Sequence, residues 1–126
     1  MGELARSGLT AMTAPTVVVV GYCASGKSSV VAALRERGFE AEAVAQEHSE
    51  IDDLWNHHHP DIVIFLDVNV EQIRIRRDNP HWPAWIYALQ AERLVSARVR
   101  ADLVVDTTVN DLEAVKRQVT GFLSAS

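Results

Sequence analysis

The chain contains four short stretches in which apolar residues follow one another with little interruption. The two clearest read VVVV at 17–20 and IVIFL at 62–66. Runs of β-branched and aromatic residues of this length are typical of strands that are buried on both faces of a parallel sheet. The pattern predicts strands at residues 17–20, 39–44, 61–68 and 102–106, with an uncertain register in the second.

Between these stretches, apolar residues recur at helical spacing. In the segment 27–37 they are Val30, Val31 and Leu34, and Gly38 is a typical helix stop. Four further helices are predicted. Two cover residues 70–77 and 84–100, and the other two begin at N-caps, one at Ser49 and one at Asn110. Strands that alternate with helices predict an α/β fold, a three-layer α/β/α sandwich around a parallel sheet. Four strands are expected, and a fifth is left open.

Length and composition narrow the class of protein. The chain has 126 residues, 48% of them hydrophobic, which suits one domain over residues 15–126. Residues 1–14 lack a sustained period and are expected to form a flexible leader. The formal net charge of -5 argues against a nucleic-acid partner. No apolar stretch is long enough to span a membrane, and the chain has a single cysteine, Cys23. We therefore expect a cytoplasmic protein without a membrane partner, either a monomer or a homodimer.

Residues 21–28 carry the most specific motif. They read GYCASGKS, which matches G-x-x-x-x-G-K-S directly after a predicted strand and at the start of a predicted helix. Such a loop wraps its backbone N–H groups around a phosphate at a helix N-terminus. Lys27 would reach the β- and γ-phosphates, and the Ser28 hydroxyl would ligate Mg²⁺. The predicted nucleotide-binding residues are Gly21, Cys23, Ala24, Ser25, Gly26, Lys27, Ser28 and Ser29.

With this motif, the chain resembles the P-loop kinases of small molecules, the shikimate, gluconate and nucleoside monophosphate kinase group. The resemblance covers nearly all of residues 16–124 and rests on VVVVGYCASGKSS, IVIFLDVNVEQIRIRR and ADLVVDTTVNDLEAVKRQV. The segments VAQEHS, DDLW and FLDV are also similar to short bacterial P-loop proteins of unestablished activity. The resemblance implies a P-loop NTPase fold, with ATP (GTP is the alternative) and Mg²⁺ as cofactors, and transfer of the γ-phosphoryl to a small-molecule acceptor.

The chain departs from that group in two places. Kinases of this kind have five core strands, whereas a β-α unit is missing here between residues 45 and 61. The lid between Arg77 and Trp85 is reduced to a few residues. Two hypotheses follow: a phosphotransferase with an unidentified acceptor, or a nucleotide-binding or slowly hydrolysing module without one.

Several charged residues are candidates for the chemistry. Asp67 is either the acid that holds Mg²⁺, if its strand neighbours the first, or a cap of the next helix. In the helix 84–100, Arg98 lies within the apolar arc and therefore needs an anion, a carboxylate or a bound phosphate. The resemblance implies that lid-helix arginines face the transferring phosphoryl. We therefore predict Lys27, Arg93 and Arg98 as catalytic, with Arg74 and Arg77 as further candidates.

The remaining polar and aromatic candidates carry weaker signals. His48 follows the second strand and would either position a substrate or bond to the backbone. The run His57 to His59 is interpreted as a surface cluster, because consecutive helical side chains point in different directions. Trp82 and Trp85 are expected to pack the short lid onto the domain.

Overall fold

In a computed structural model, residues 15–125 are described, so the predicted leader at 1–14 lies outside the described residues. The chain has an α/β fold whose four strands are all parallel, in the order β2-β1-β3-β4. A fifth strand is absent from residues 15–125. The strands are β1 (Thr16–Gly21), β2 (Glu40–Ala43), β3 (Ile62–Asp67) and β4 (Leu103–Asp106).

Helices flank the sheet and follow the predicted order with shifted ends. Two short 3₁₀ helices, Gln46–His48 and Leu54–His58, connect β2 to β3. The α-helices are α1 (Lys27–Glu36), α2 (Val70–Arg76), α3 (Ala84–Arg93), α4 (Val95–Arg100) and α5 (Leu112–Ala125). Within residues 15–125, no helix combines the length and the apolar character that crossing a membrane requires.

The core lies on both faces of the sheet, because alternate residues of each strand point to opposite sides. In β1, Val18 and Val20 pack with residues of α2, α3 and α4, whereas Val17 and Val19 pack with residues of α1 and α5. All four valines are fully buried. Burial on both faces explains why this strand is a continuous apolar run.

The pairing of β1 with β3 fixes the place where the chain leaves the sheet. Their register runs from Val17 opposite Ile62 to Gly21 opposite Leu66. Gly21 has φ 156°, and a Cβ there would lie 2.3 Å from the carbonyl oxygen of Leu66. Only glycine allows this approach, so the loop that follows begins pressed against the end of β3.

Two details of the predicted helices are wrong. The predicted helix 84–100 is divided at Leu94, whose own amide is shared by the carbonyls of Gln90 and Ala91. The N-cap of α5 is Asp111, whose Oδ1 accepts the amide of Ala114 at 2.8 Å. Asn110 instead donates its side-chain amide to the carbonyl of Asp106 at 2.8 Å, which is why the cap falls one residue later.

The predicted helix after Ser49 is replaced by a turn and a 3₁₀ helix. Gln46, which is fully buried, supplies the hydrogen bonds that this helix would have made internally. Its side chain accepts from the amide of Trp55 at 3.0 Å and donates to the carbonyl of Ile51 at 2.6 Å. The Ser49 hydroxyl accepts from the amide of Ile51 and so caps a turn rather than a helix.

The close approach at Gly21 generates a stability prediction. Gly21→Ala should lower the free energy of unfolding by about 2–3 kcal/mol, because its Cβ meets the Leu66 carbonyl at an unfavourable φ. Gly121→Ala, in α5 with nothing within 4 Å, should raise it by about 0.5–1 kcal/mol. Urea denaturation of both variants measures the two changes in the free energy of unfolding. An unchanged midpoint for Gly21→Ala would contradict the prediction.

Candidate functional site

The loop of residues 21–28 has the backbone of an anion cradle. Ala24 and Gly26 take left-handed conformations, with φ of 59° and 97°, and the amide of Ser25 donates to the carbonyl of Tyr22 at 3.2 Å. The first bond of α1 runs from Val30 to Gly26. The amides of residues 27–29 therefore have no carbonyl within the helix, and they give its N-terminus a partial positive charge. This combination of turned backbone and helix end suits a phosphate.

The ammonium group of Lys27 lies at the mouth of this loop. Its Nζ donates to the carbonyls of Gly21 and Tyr22, both at 3.1 Å. A third bond, of 2.6 Å, reaches Oε2 of Glu47. The predicted phosphate-binding lysine is therefore held by the loop itself and by a carboxylate that lies beyond β2.

Glu47 was not among the predicted site residues. It lies in the 3₁₀ helix that follows β2 and is 3% exposed. Its second oxygen, Oε1, is buried without a hydrogen-bond partner, and so is the hydroxyl of Ser25 in the loop. Buried polar atoms without partners are uncommon in native proteins and call for an explanation. An acidic residue at the carboxyl end of a strand beside the loop was the signal that could have found Glu47.

Helix α3 closes one side of the loop. The amide of Cys23 donates to Oε1 of Gln90 at 3.1 Å, and Gln90 is 2% exposed. The amide of Cys23 therefore already has an acceptor in the protein, and its thiol is buried. The periodicity of the predicted helix 84–100 contains no sign that Gln90 reaches the loop across the core.

An aromatic pair extends this contact. The rings of Tyr22 and Tyr87 stack with their centroids 4.4 Å apart and an interplanar angle of 4°. The Tyr87 hydroxyl donates to the carbonyl of Val68 at 2.9 Å. Burial, followed by the hydrogen bond to Tyr87, raises the pKa of Tyr22 well above its ordinary value, so this hydroxyl stays protonated at neutral pH. The stacked rings therefore fill the space between the loop and α3.

Arg76 contacts the opposite side of the loop. Its guanidinium donates to the carbonyl of Ala24 at 2.8 Å and to the hydroxyl and carbonyl of Thr107 beyond β4. Burial lowers the pKa of Arg76 from its ordinary value. Arg74 and Arg77, the arginines predicted on this helix, have other contacts: Arg74 pairs with Glu71 and Arg77 lies over the ring of Trp82. Arg76 follows the buried Ile73 by three residues, and this spacing could have placed it on the inner side of α2.

A cavity of about 230 Å³ opens beside this arginine. It borders the outer side of the loop and the segment that joins β4 to α5. Besides residues of the loop, its lining includes Arg76, Thr107, Asn110, Leu112 and Val115. The cavity therefore offers both apolar surface and polar groups next to the anion cradle.

The two predicted catalytic arginines of the helix 84–100 have protein partners. Arg98 pairs with Asp67 at 3.3 Å and lies 5.0 Å from the centre of the Phe65 ring. Its side chain is 48% exposed, so the expected burial is wrong, while a carboxylate does serve as its anion. Arg93 lies 4.0 Å from Glu50. None of these contacts involves the loop.

Asp67 is the last residue of β3, and β3 is a direct neighbour of β1. The interpretation of Asp67 as a metal-binding acid requires this neighbouring position. Its Oδ1 accepts from the amide of Val68 and its Oδ2 from Arg98. The alternative interpretation as a helix cap is wrong, because Asn69 caps α2 by accepting from Gln72 at 2.8 Å. No cluster of three or more potential metal-ligating side chains occurs in the part of the chain that the structure describes.

The other candidates are dispersed. His48 is exposed, and its Nε2 lies 3.7 Å from Oε2 of Glu47, which leaves it near Lys27. His57 lies 3.8 Å from Asp53 on the surface. Trp82 packs in the core as expected, whereas the same expectation for Trp85 is wrong, since 68% of it is exposed.

A comparison with protein-family models finds no matching family, and a comparison with curated proteins finds no match. The function of this chain is therefore inferred from the geometry of the loop and its neighbours.

The hydrogen bond between α3 and the loop generates a second prediction. Gln90→Leu should lower the free energy of unfolding by about 1–3 kcal/mol, because the Cys23 amide would stay buried without an acceptor. Gln118→Leu, at an exposed position of α5, is the matched control and should change it by less than about 0.5 kcal/mol. Chemical denaturation measures both, and equal effects of the two substitutions would contradict a special role for Gln90.

Proposed function

We propose that the chain is a P-loop nucleotide-binding protein, with the three-layer α/β/α arrangement of P-loop NTPases, which binds ATP and Mg²⁺. The observation that carries the proposal is the loop 21–28, where left-handed backbone, a helix N-terminus and a lysine ammonium converge. The buried hydroxyl of Ser25, which lacks a partner, is independent support. A phosphate oxygen is an acceptor that this hydroxyl and the neighbouring amides would share.

The residues around the loop fit the two cofactors. The amides at the start of α1 and Lys27 would hold the phosphates, and the exposed hydroxyl of Ser28 would ligate Mg²⁺. Two carboxylates lie near the carboxyl ends of the strands on either side of β1, Glu47 beyond β2 and Asp67 as the last residue of β3. Mg²⁺ prefers such hard oxygen ligands and keeps several waters. The cavity beside Arg76 would take the base.

Nucleotide binding with slow hydrolysis is the activity that the residues around the loop 21–28 support best. The side of the loop that faces α3 is filled by Gln90 and by the stacked Tyr22 and Tyr87. The predicted lid is short and its Trp82 is buried in the core. Arg93 and Arg98, predicted to face the transferring phosphoryl, have Glu50 and Asp67 as partners.

Phosphoryl transfer to a small molecule is the second candidate. The exposed imidazole of His48, close to Glu47 and hence to Lys27, favours it. A hydrogen-bonding group in that position would orient an acceptor hydroxyl next to the γ-phosphate. ATP consumption separates the two candidates: release of ADP that depends on one member of a panel of hydroxyl and phosphate acceptors would favour transfer. A slow rate that no acceptor changes would favour the binding module.

Substitution of Lys27 tests nucleotide binding under either candidate. Lys27→Ala should weaken binding of Mg-ATP by about 10- to 100-fold, since a charge-assisted bond to phosphate contributes about 1.5–3 kcal/mol. Isothermal titration calorimetry measures the change. Lys116→Ala, which removes a surface lysine paired with Glu113 on α5, is the control and should bind like the wild type. Unchanged affinity of Lys27→Ala would refute the assignment of the loop.

A further inference from the structure

The ammonium group of Lys27 has no donor to spare. A lysine ammonium carries three N–H donors, and here the carbonyls of Gly21 and Tyr22 and the carboxylate of Glu47 accept one each. A phosphate can bond to Lys27 only by replacing or sharing one of these acceptors. The bond to Glu47, at 2.6 Å, is the shortest of the three and is the one made to a charged partner.

A phosphate on Lys27 and the carboxylate of Glu47 would be close neighbours. Two acceptors of one ammonium lie about 4.5–5 Å apart when each makes a hydrogen bond of ordinary length. Both are anions, and the side chain of Glu47 is only 4% exposed, so water screens little of their repulsion. If the phosphate displaced Glu47 altogether, a buried carboxylate would remain without its cation, which is strongly unfavourable.

We propose that Glu47 is a positioning residue that makes the loop selective for polyphosphate carrying a divalent cation over the metal-free anion. In the free protein, Glu47 holds Lys27. When the phosphates take Lys27, the cation that accompanies them replaces it as the positive neighbour of Glu47. The inference rests on the proposed function, because it concerns how the same loop accepts its ligand.

The structure favours Glu47 over Asp67 for this role. Asp67 has its own cation, Arg98, and its other oxygen accepts the amide of Val68. Glu47 has an oxygen, Oε1, that is buried without any partner and is therefore available to a metal-bound water. Lys27 is also the nearer of the two basic groups that contact Glu47 among the described residues, at 2.6 Å against 3.7 Å for His48, which carries charge only when protonated.

The test compares the affinity for ATP in excess MgCl₂ with that for ATP in EDTA, at matched ionic strength, by isothermal titration calorimetry. The wild type should bind the metal complex at least about tenfold more tightly. Glu47→Gln keeps the shape and the oxygen acceptor for Lys27 while it removes the charge. This variant should bind metal-free ATP about tenfold more tightly than the wild type, so the ratio between the two conditions contracts.

Two matched variants show whether the effect belongs to this carboxylate. Glu42→Gln removes an exposed glutamate of β2 that pairs with Arg35, and Asp67→Asn removes the carboxylate beyond β3. Metal-free ATP should bind to Glu42→Gln as it binds to the wild type, whereas Asp67→Asn should gain less affinity than Glu47→Gln, because the cation Arg98 remains beside position 67. An equal gain in Asp67→Asn and Glu47→Gln would overturn the assignment to Glu47.

The remaining outcomes are also decisive. The inference would be overturned if the wild type bound ATP equally well in MgCl₂ and in EDTA, or if Glu47→Gln left the ratio of these two affinities unchanged. In either case, binding of Mg-ATP would still support the proposed function. If Glu47→Gln does not fold by circular dichroism, the wild-type ratio and Glu47→Ala decide by the same criterion. Failure of the wild type to bind ATP under either condition would instead refute the proposed function.

Discussion

The three hydrogen bonds of the Lys27 ammonium are the interaction on which the arrangement at the carboxyl end of the sheet depends. They join the start of α1 to the first two carbonyls of the loop and to the 3₁₀ helix beyond β2. A single cation thereby connects the loop and the start of α1 to a segment 20 residues further along the chain. Because each acceptor is itself buried or partly buried, none of the three is readily exchanged for water, and these bonds hold the loop in shape.

This preorganisation is supported from both sides. Gln90 of α3 accepts the amide of Cys23, and Arg76 of α2 donates to the carbonyl of Ala24. The loop is thus fixed through its backbone rather than through the identity of its small side chains. The same contacts also explain why the side toward α3 is closed while a cavity remains on the side toward Thr107.

The features that repeat along the chain were predictable from the sequence, and those that depend on single long-range contacts were not. The apolar runs of β1 and β3 and the spacing of α1 follow directly from periodicity. The conformation of residues 49–55 does not, because the buried side chain of Gln46 supplies hydrogen bonds that a helix would have made internally. Glu47 and Arg76 were missed for the same reason: their partners are defined by the tertiary fold.

Arg98 shows a different limit of the pattern. A helical wheel places it among apolar residues, but the helix is interrupted at Leu94, and a long side chain can extend past the apolar surface. Its guanidinium lies over the ring of Phe65 and reaches Asp67. The prediction that Arg98 needs an anion is confirmed by its pairing with Asp67, whereas the prediction that its side chain is buried is wrong.

The edges of the sheet carry a consequence for the behaviour of the protein at high concentration. β2 and β4, the outer strands, have four residues each, and exposed acidic residues occur along them, Glu40 and Glu42 on one and Asp106 on the other. Short, negatively charged borders disfavour the addition of a strand from another molecule. The two central strands, whose apolar sequences would aggregate readily if uncovered, are in this way shielded from intermolecular β-pairing.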